Sequence, residues 1–195
     1  MKRFKNVLFV ADPDADNAPA LTEALSLCRR HGAALTLTLI VPDTVIGITA
    51  MVQEAMLEHG AEWLDELTRG ADVGQVPIRT TLHCGRPFIE VIREVLDAGH
   101  DLVIKPAEPV SGLGGQMFAA TDKKLLRKCP CPVWLIKPGE QRGPREVLVA
   151  LDFDSANPEN APLNQELLDL AMSMCVAEFA ELHIVHAWQL EHEGF

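Results

Sequence analysis

Apolar residues in this chain fall into two alternating kinds of run, short unbroken stretches and longer ones at helical spacing. Asn6–Ala11 is unbroken and ends at Asp12, the pattern of a strand buried on both faces. A polar loop, Asp12-Pro-Asp-Ala-Asp-Asn17, follows. Leu21, Ala24, Leu25 and Cys28 then put one apolar stripe on a helix from about Pro19 to His31, closed by Gly32. Ala34–Val41, rich in Leu and Thr, predicts a second strand. From about Ile48 to Thr68, the residues Ile48, Met51, Val52, Ala55, Met56, Trp63, Leu64 and Leu67 keep helical spacing; the methionines could line a pliable pocket, but core filling is the commoner use and the expectation. Val76–Leu82 predicts a third strand. Gly85-Arg-Pro87 opens the next helix, Gly99 closes it, and Phe88, Val91, Ile92, Val95 and Leu96 make its expected buried stripe.

The stretch His100–Lys137 organises the rest. It predicts a buried strand (Asp101–Lys105), a glycine-bearing loop, a short basic helix (about Asp122–Lys128) and a further strand (Val133–Lys137). Strands alternating with helices mean a parallel sheet with helices on both faces, a doubly wound α/β domain. Ligands of such sheets sit beyond the carboxyl ends of the strands, so a phosphate site is expected between Lys105 and Thr121.

Beyond the polar linker that follows Lys137 the pattern starts again. Val147–Asp152 mirrors Val7–Asp12, Asn160-Ala-Pro162 mirrors Asn17-Ala-Pro19, and Leu182–His186 mirrors Leu37–Val41. The expected organisation is one domain over 1–138, a linker over 139–145, and the start of a second copy over 146–195. A β-α-β fragment cannot bury both faces of its sheet alone. The expectation is therefore a truncated piece of a longer protein, or a fragment that packs on another surface.

Charge and cysteine usage narrow the function. The chain has 195 residues, 48% hydrophobic, and a net charge of −11 with its acids dispersed, which argues against a nucleic-acid partner. The apolar run after Lys2, Arg3 and Lys5 is too short for a signal peptide, and no stretch approaches the ~20 apolar residues of a membrane span, so a soluble cytoplasmic protein is expected. The cysteines at 28, 84, 129, 131 and 175 are odd in number and scattered, which suits reduced structural thiols. Cys129-Pro-Cys131 lacks the further ligands of a zinc site, and His83 and Cys84 face opposite sides of a strand.

Four features together resemble the universal stress protein family. They are the first strand ending in Asp12, Gly85-x-Pro87-x-x-x-x-Ile92 before a helix, Asp101-Leu-Val-Ile104, and Leu125-Leu-Arg127-x-Cys-Pro-Cys131-Pro-Val133. The resemblance covers Met1 to about Pro138. The His-Asp-Leu-Val segment, the run through Trp134 and the tandem start are similar to the family's two-domain E-type subgroup. The resemblance implies an adenine-nucleotide α-hydrolase-like sheet of five parallel strands in the order 3-2-1-4-5. It also implies a role in surviving stress, including DNA damage, with no established catalysis. Many family members bind ATP through Gly-x-x-Gly and a later Gly-Ser/Thr after strand four. Here the first glycine falls on Pro106 and the closing pair near Ala119-Ala120, with Thr121 one position later. Proline offers no N–H to a phosphate. Gly112-Leu-Gly-Gly115 stands in a different register, whereas Asp12 and Val41 match the ribose and adenine positions. The expectation is no ATP binding by the first domain. The alternative is an ATP–Mg switch using Asp12, Val41, Gly112, Gly114, Gly115 and Thr121.

Other candidate chemistry is thinner. Lys105, Lys123, Lys124, Arg127, Lys128 and Lys137 cluster in an acidic chain, as an anion site or simply as cations complementing a helix dipole, the commoner use. Asp12, Asp14, Asp16 and Glu23 have the spacing of a calcium loop, but Pro13, Asn17 at the glycine position and a preceding strand favour a plain turn and cap. No Gly-x-Ser-x-Gly, His-Glu-x-x-His, P-loop or dinucleotide fingerprint is present. His183 and His186 point to opposite faces of a strand. The reading is a non-enzymatic stress-response protein without metal or cofactor, acting by binding or association. Its expected contact is edge pairing through Val133–Lys137, between protomers or between domains. A divalent-cation binder is the second alternative.

Overall fold

In the computed structural model, residues 4–43, 50–108, 119–137, 145–153 and 158–187 are described. The chain divides into two units, Phe4–Gln141 and a second containing Arg142–Phe195. The first contains β1 (Asn6–Ala11), α1 (Asn17–His31), β2 (Ala34–Pro42), α2 (Ala50–Gly70), β3 (Ile78–Gly85), α3 (Pro87–Ala98), β4 (Leu102–Pro106), α4 (Ala120–Lys128) and β5 (Val133–Ile136). All five strands are parallel and lie in the order β3-β2-β1-β4-β5, as expected. Val7 pairs with Leu35 on one side and Leu102 on the other, so the chain reverses direction across the sheet at β1 and β4. That reversal leaves a crevice above their carboxyl ends.

Both faces of the sheet are covered because both faces are apolar. Leu8 and Val10 pack with Val91, Val95, Val103 and Leu125 under α3 and α4. Val7 and Phe9, alternating with them, are buried on the opposite face. Polar side chains tie the strand ends. Asp101 accepts N–H bonds from Lys5 (2.7 Å) and Asn6 (3.2 Å), which fastens the start of β4 to that of β1. At the other end of β1, Asn17 accepts from Asp12 N (3.0 Å) and donates to Asp12 O (2.7 Å). This clamp starts α1 at Asn17, two residues before the expected Pro19.

Two expected stripes hold only in part: on α3, Phe88, Val91, Ile92 and Val95 face the core as expected. Leu96 is 65% exposed, while Glu90 and Glu94 are buried beside Val91 and Val95. The acids turn inward because they find partners: Glu90 meets Arg93 Nη1 at 2.7 Å, and Glu94 meets Arg79 Nη2 at 2.9 Å and the His83 ring at 3.0 Å. On α2, Leu64 is buried, Trp63 and Leu67 are half-buried, and Ala55 and Met56 are exposed. Met56 is therefore not core filler. The side chains of Met51 and Val52, and Ile48 altogether, lie outside the described residues.

The second unit repeats the opening of the first with β6 (Glu146–Ala150), α5 (Ala161–Glu178) and β7 (Glu181–Val185). β6 and β7 are parallel, and Val149, Leu151 and Ala171 form a small core. The clamp recurs with a shift. Asn164, not Asn160, accepts from Asp152 N (3.0 Å) and donates to Asp152 O, while Asn160 donates to the Asp152 carboxylate (2.8 Å).

Gly85 joins β3 to α3 at φ +152°, and a Cβ there would lie 2.6 Å from Glu90 Oε1. Gly85→Ala must displace a buried, ion-paired carboxylate. We expect a loss of about 1–3 kcal/mol in urea denaturation; an unchanged midpoint would show that the β3–α3 junction yields freely.

Candidate functional site

The crevice opens into a cavity of about 370 Å³. Val10 and Ala11 of β1 and Leu39–Pro42 of β2 supply its floor, while Met56, His59 and Trp63 of α2 form one wall. Gly60 lets that helix come close: a Cβ there would sit 3.1 Å from Leu39 and 3.2 Å from Leu82. Asp12, Lys105 and Glu108 give the opposite end a polar character.

Lys105 dominates this polar end although it is only 4% exposed. A lone ammonium removed from water costs several kcal/mol, so it requires partners. Its Nζ lies 3.2 Å from Glu108 Oε1, 3.3 Å from Asp122 Oδ1 and 3.5 Å from Asp12 Oδ2, and donates to Pro106 O at 3.1 Å. Asp122 is wholly buried and its other oxygen accepts from Glu108 N at 2.9 Å. Its Oδ1 meets the ammonium by charge, with no aligned hydrogen bond. Lys105 thus holds three formally negative groups from β1, the segment after β4, and α4.

Lys105 departs from both readings of the basic cluster, whereas Arg127 and Lys128, in the last turn of α4, match the helix-dipole one. Lys105 is an internal counter-ion, not a surface anion binder. Lys124 lies 4.7 Å over the Phe88 ring, while Arg127 and Lys128 are exposed in the last turn of α4. Lys137 is exposed just past β5. Among the described residues, Lys105 is the one lysine or arginine lining the cavity.

Of the nucleotide-site candidates, Asp12 and Val41 both line the cavity. Thr121 is half-buried in the first turn of α4, outside the lining, and Gly112, Gly114 and Gly115 lie outside the described residues. Asp12 and Val41 thus share one cavity, whose described polar end presents carboxylates beside Lys105. The calcium-loop residues are not brought together. Asp12 Oδ1 accepts from Asp14 N (3.0 Å), Asp16 caps α1 by accepting from Ala18 N (3.1 Å), and Glu23 is buried on α1. Among the described residues the one grouping with metal-ligand spacing is Glu146, Glu181 and His183, all exposed.

Several residues escaped sequence reasoning. Met56, His59 and Trp63 face the cavity, and Glu108 and Asp122 surround the lysine, yet no local motif marks them. Glu94 gathers Arg79, His83 and the buried His100, whose Nε2 lies 3.5 Å away. Cys28 is a core thiol, pushed up to about 12 by burial first and then by nearby Asp101. Cys84, Cys129, Cys131 and Cys175 are half-buried instead.

The universal stress protein family model matches residues 3–137. Universal stress protein E of Escherichia coli K12 is 31% identical over 199 residues, covering 96% of this chain and 63% of that protein. Universal stress protein E of Photorhabdus laumondii is 29% identical over 203 residues, with the same coverage. The chain therefore spans less than two thirds of the length of these curated relatives. Among solved structures, a universal stress protein from Archaeoglobus fulgidus has a TM-score of 0.72 at 17% identity, over 96% of this chain and 69% of that one. UspA from Lactobacillus plantarum has a TM-score of 0.59 at 22% identity, over 70% of this chain and 99% of that one. At such identities these likenesses establish the fold.

Lys105→Met leaves Asp122 buried without its cation. Breaking a buried ion pair from one side costs about 3–5 kcal/mol, and that loss is expected in chemical denaturation. Adding Asp122→Asn to Lys105→Met should recover part of it; additive losses would show that the two residues do not interact.

Proposed function

The chain belongs to the universal stress protein family, and from that premise we propose that it serves the stress response by binding and association, without catalysis. In this reading 1–138 is the binding domain, 139–145 a linker, and 146–195 the opening part of a second domain of the same kind. Its place of action is the cytoplasm; no helix among the described residues is long and apolar enough to cross a membrane.

The ligand of the first domain is an uncharged, ring-bearing molecule of nucleoside size, and not a nucleoside triphosphate. One observation carries this reading: Asp12, Glu108 and Asp122 already surround the Lys105 ammonium. The polar end of the cavity has a formal excess of acid, so a polyphosphate approaching it meets repulsion of the order of 1–4 kcal/mol per charge pair at 4 Å. The apolar floor and Trp63 offer an aromatic ring a face to stack on. Pro106, which has no N–H, removes a donor where a phosphate grip would begin.

Calorimetric titration with adenosine and with Mg–ATP, after removal of co-purified nucleotide, tests this. Adenosine is expected to bind at least tenfold more tightly than Mg–ATP, and Trp63→Ala to weaken it. Micromolar Mg–ATP binding that Lys105→Met abolishes would overturn the proposal and make the lysine a phosphate ligand.

Association in this reading runs through β5, a sheet edge whose Val133, Trp134 and Leu135 are half-buried. Light scattering should find a dimer that Trp134→Glu converts to monomer with its circular dichroism intact. A dimer that survives the substitution would exclude this edge.

A further inference from the structure

Cys129 and Cys131 bracket Pro130 where α4 passes into β5. Cys129 caps the helix, its N–H donating to Leu125 O at 2.9 Å while its own backbone is already extended. The chain bends at Pro130 and Cys131, and the two sulfurs come to 3.8 Å with a hydrogen bond between them. Both side chains are half-buried against the cluster containing Val91 and Leu125, and Pro130 is exposed, so the pair has an apolar back and an open rim. A structural thiol has a different setting. Cys28 is 1% exposed and its thiol is pushed up to about 12, which keeps it protonated and inert. At Cys129 the hydrogen bond from the Cys131 thiol, helped by the Cys131 backbone N–H and opposed by burial, brings the thiol down to about 7. A large thiolate fraction at neutral pH, with a second sulfur already in contact, is the arrangement of an attacking and a resolving thiol.

We propose that Cys129 and Cys131 form a redox site that hydrogen peroxide closes to an intramolecular disulfide. The Cys129 thiolate attacks one peroxide oxygen, the O–O bond breaks, and the departing hydroxide takes up the proton that the thiol had released, giving water and a sulfenic acid. The Cys131 sulfur then attacks the Cys129 sulfur, the S–O bond breaks, and the Cys131 proton leaves with the hydroxyl as a second water. Two thiols lose two electrons in all, and the peroxide gains them. Closure fixes the bend that sets where β5 begins, two residues before Val133 pairs with Val103.

Mass spectrometry of the full chain after hydrogen peroxide treatment and alkylation tests this. The peptide holding both cysteines is expected to lose the mass of two hydrogens, to escape alkylation, and to recover both alkylated thiols after dithiothreitol. Cys131→Ser should instead give a sulfenic acid at Cys129 that dimedone traps. Full alkylation of both thiols in peroxide-treated wild-type protein would overturn the proposal. So would Cys129 bridged to a different cysteine, or its direct passage to sulfinic acid with Cys131 still reduced. The wild-type measurement stands alone if the variant fails to fold.

Discussion

The buried ammonium of Lys105 is the interaction on which the carboxyl end of the sheet depends. An aliphatic residue at that position would satisfy β4, because its neighbours Val103 and Ile104 are wholly buried. Lysine there compels acids to converge, and each comes from a different element: Asp12 after β1, Glu108 after β4, and Asp122 on α4. Asp122 also takes the Glu108 N–H, so the helix following the site is tied to the strand preceding it. Buried ion pairs add little net stability over apolar packing, but removing one member is costly. Such a cluster specifies an arrangement more than it strengthens one.

That arrangement also shapes what the crevice can receive. A parallel sheet with this strand order places its ligands above the carboxyl ends of β1 and β4. Here Lys105 is already surrounded by carboxylates, and Met56, His59 and Trp63 form one wall of the cavity. In the proposed reading, what is left to the site is ring recognition and shape. The second unit rebuilds the same opening, with Asn164 clamping Asp152 as Asn17 clamps Asp12. One physical requirement explains both clamps: the strand's last polar backbone groups need partners as the chain leaves the sheet.

What the sequence by itself determined is the layered architecture. Unbroken runs as short as Asn6–Ala11, bounded by turn residues, read as strands covered on both faces, and alternating them with helical stripes points to a parallel sheet. The family motifs around Asp12, Gly85 and Val133 then supplied the strand order, and the repeat at Val147–Asp152 was visible because it copies short-range pattern. Helix faces were less legible. Leu96 and Met56 obey the helical period, yet Leu96 ends at the surface of a helix that turns its acid toward Arg79, and Met56 ends at the cavity. The shift from Asn160 to Asn164 was hidden for a similar reason: either amide satisfies the local pattern, and only the strand end selects one. Tertiary structure alone decided the chemistry of Lys105. In sequence it belongs to a basic stretch, but two of its three acidic partners, Asp12 and Asp122, lie far along the chain in either direction, and electrostatic contacts depend on distance in space, which local periodicity does not encode.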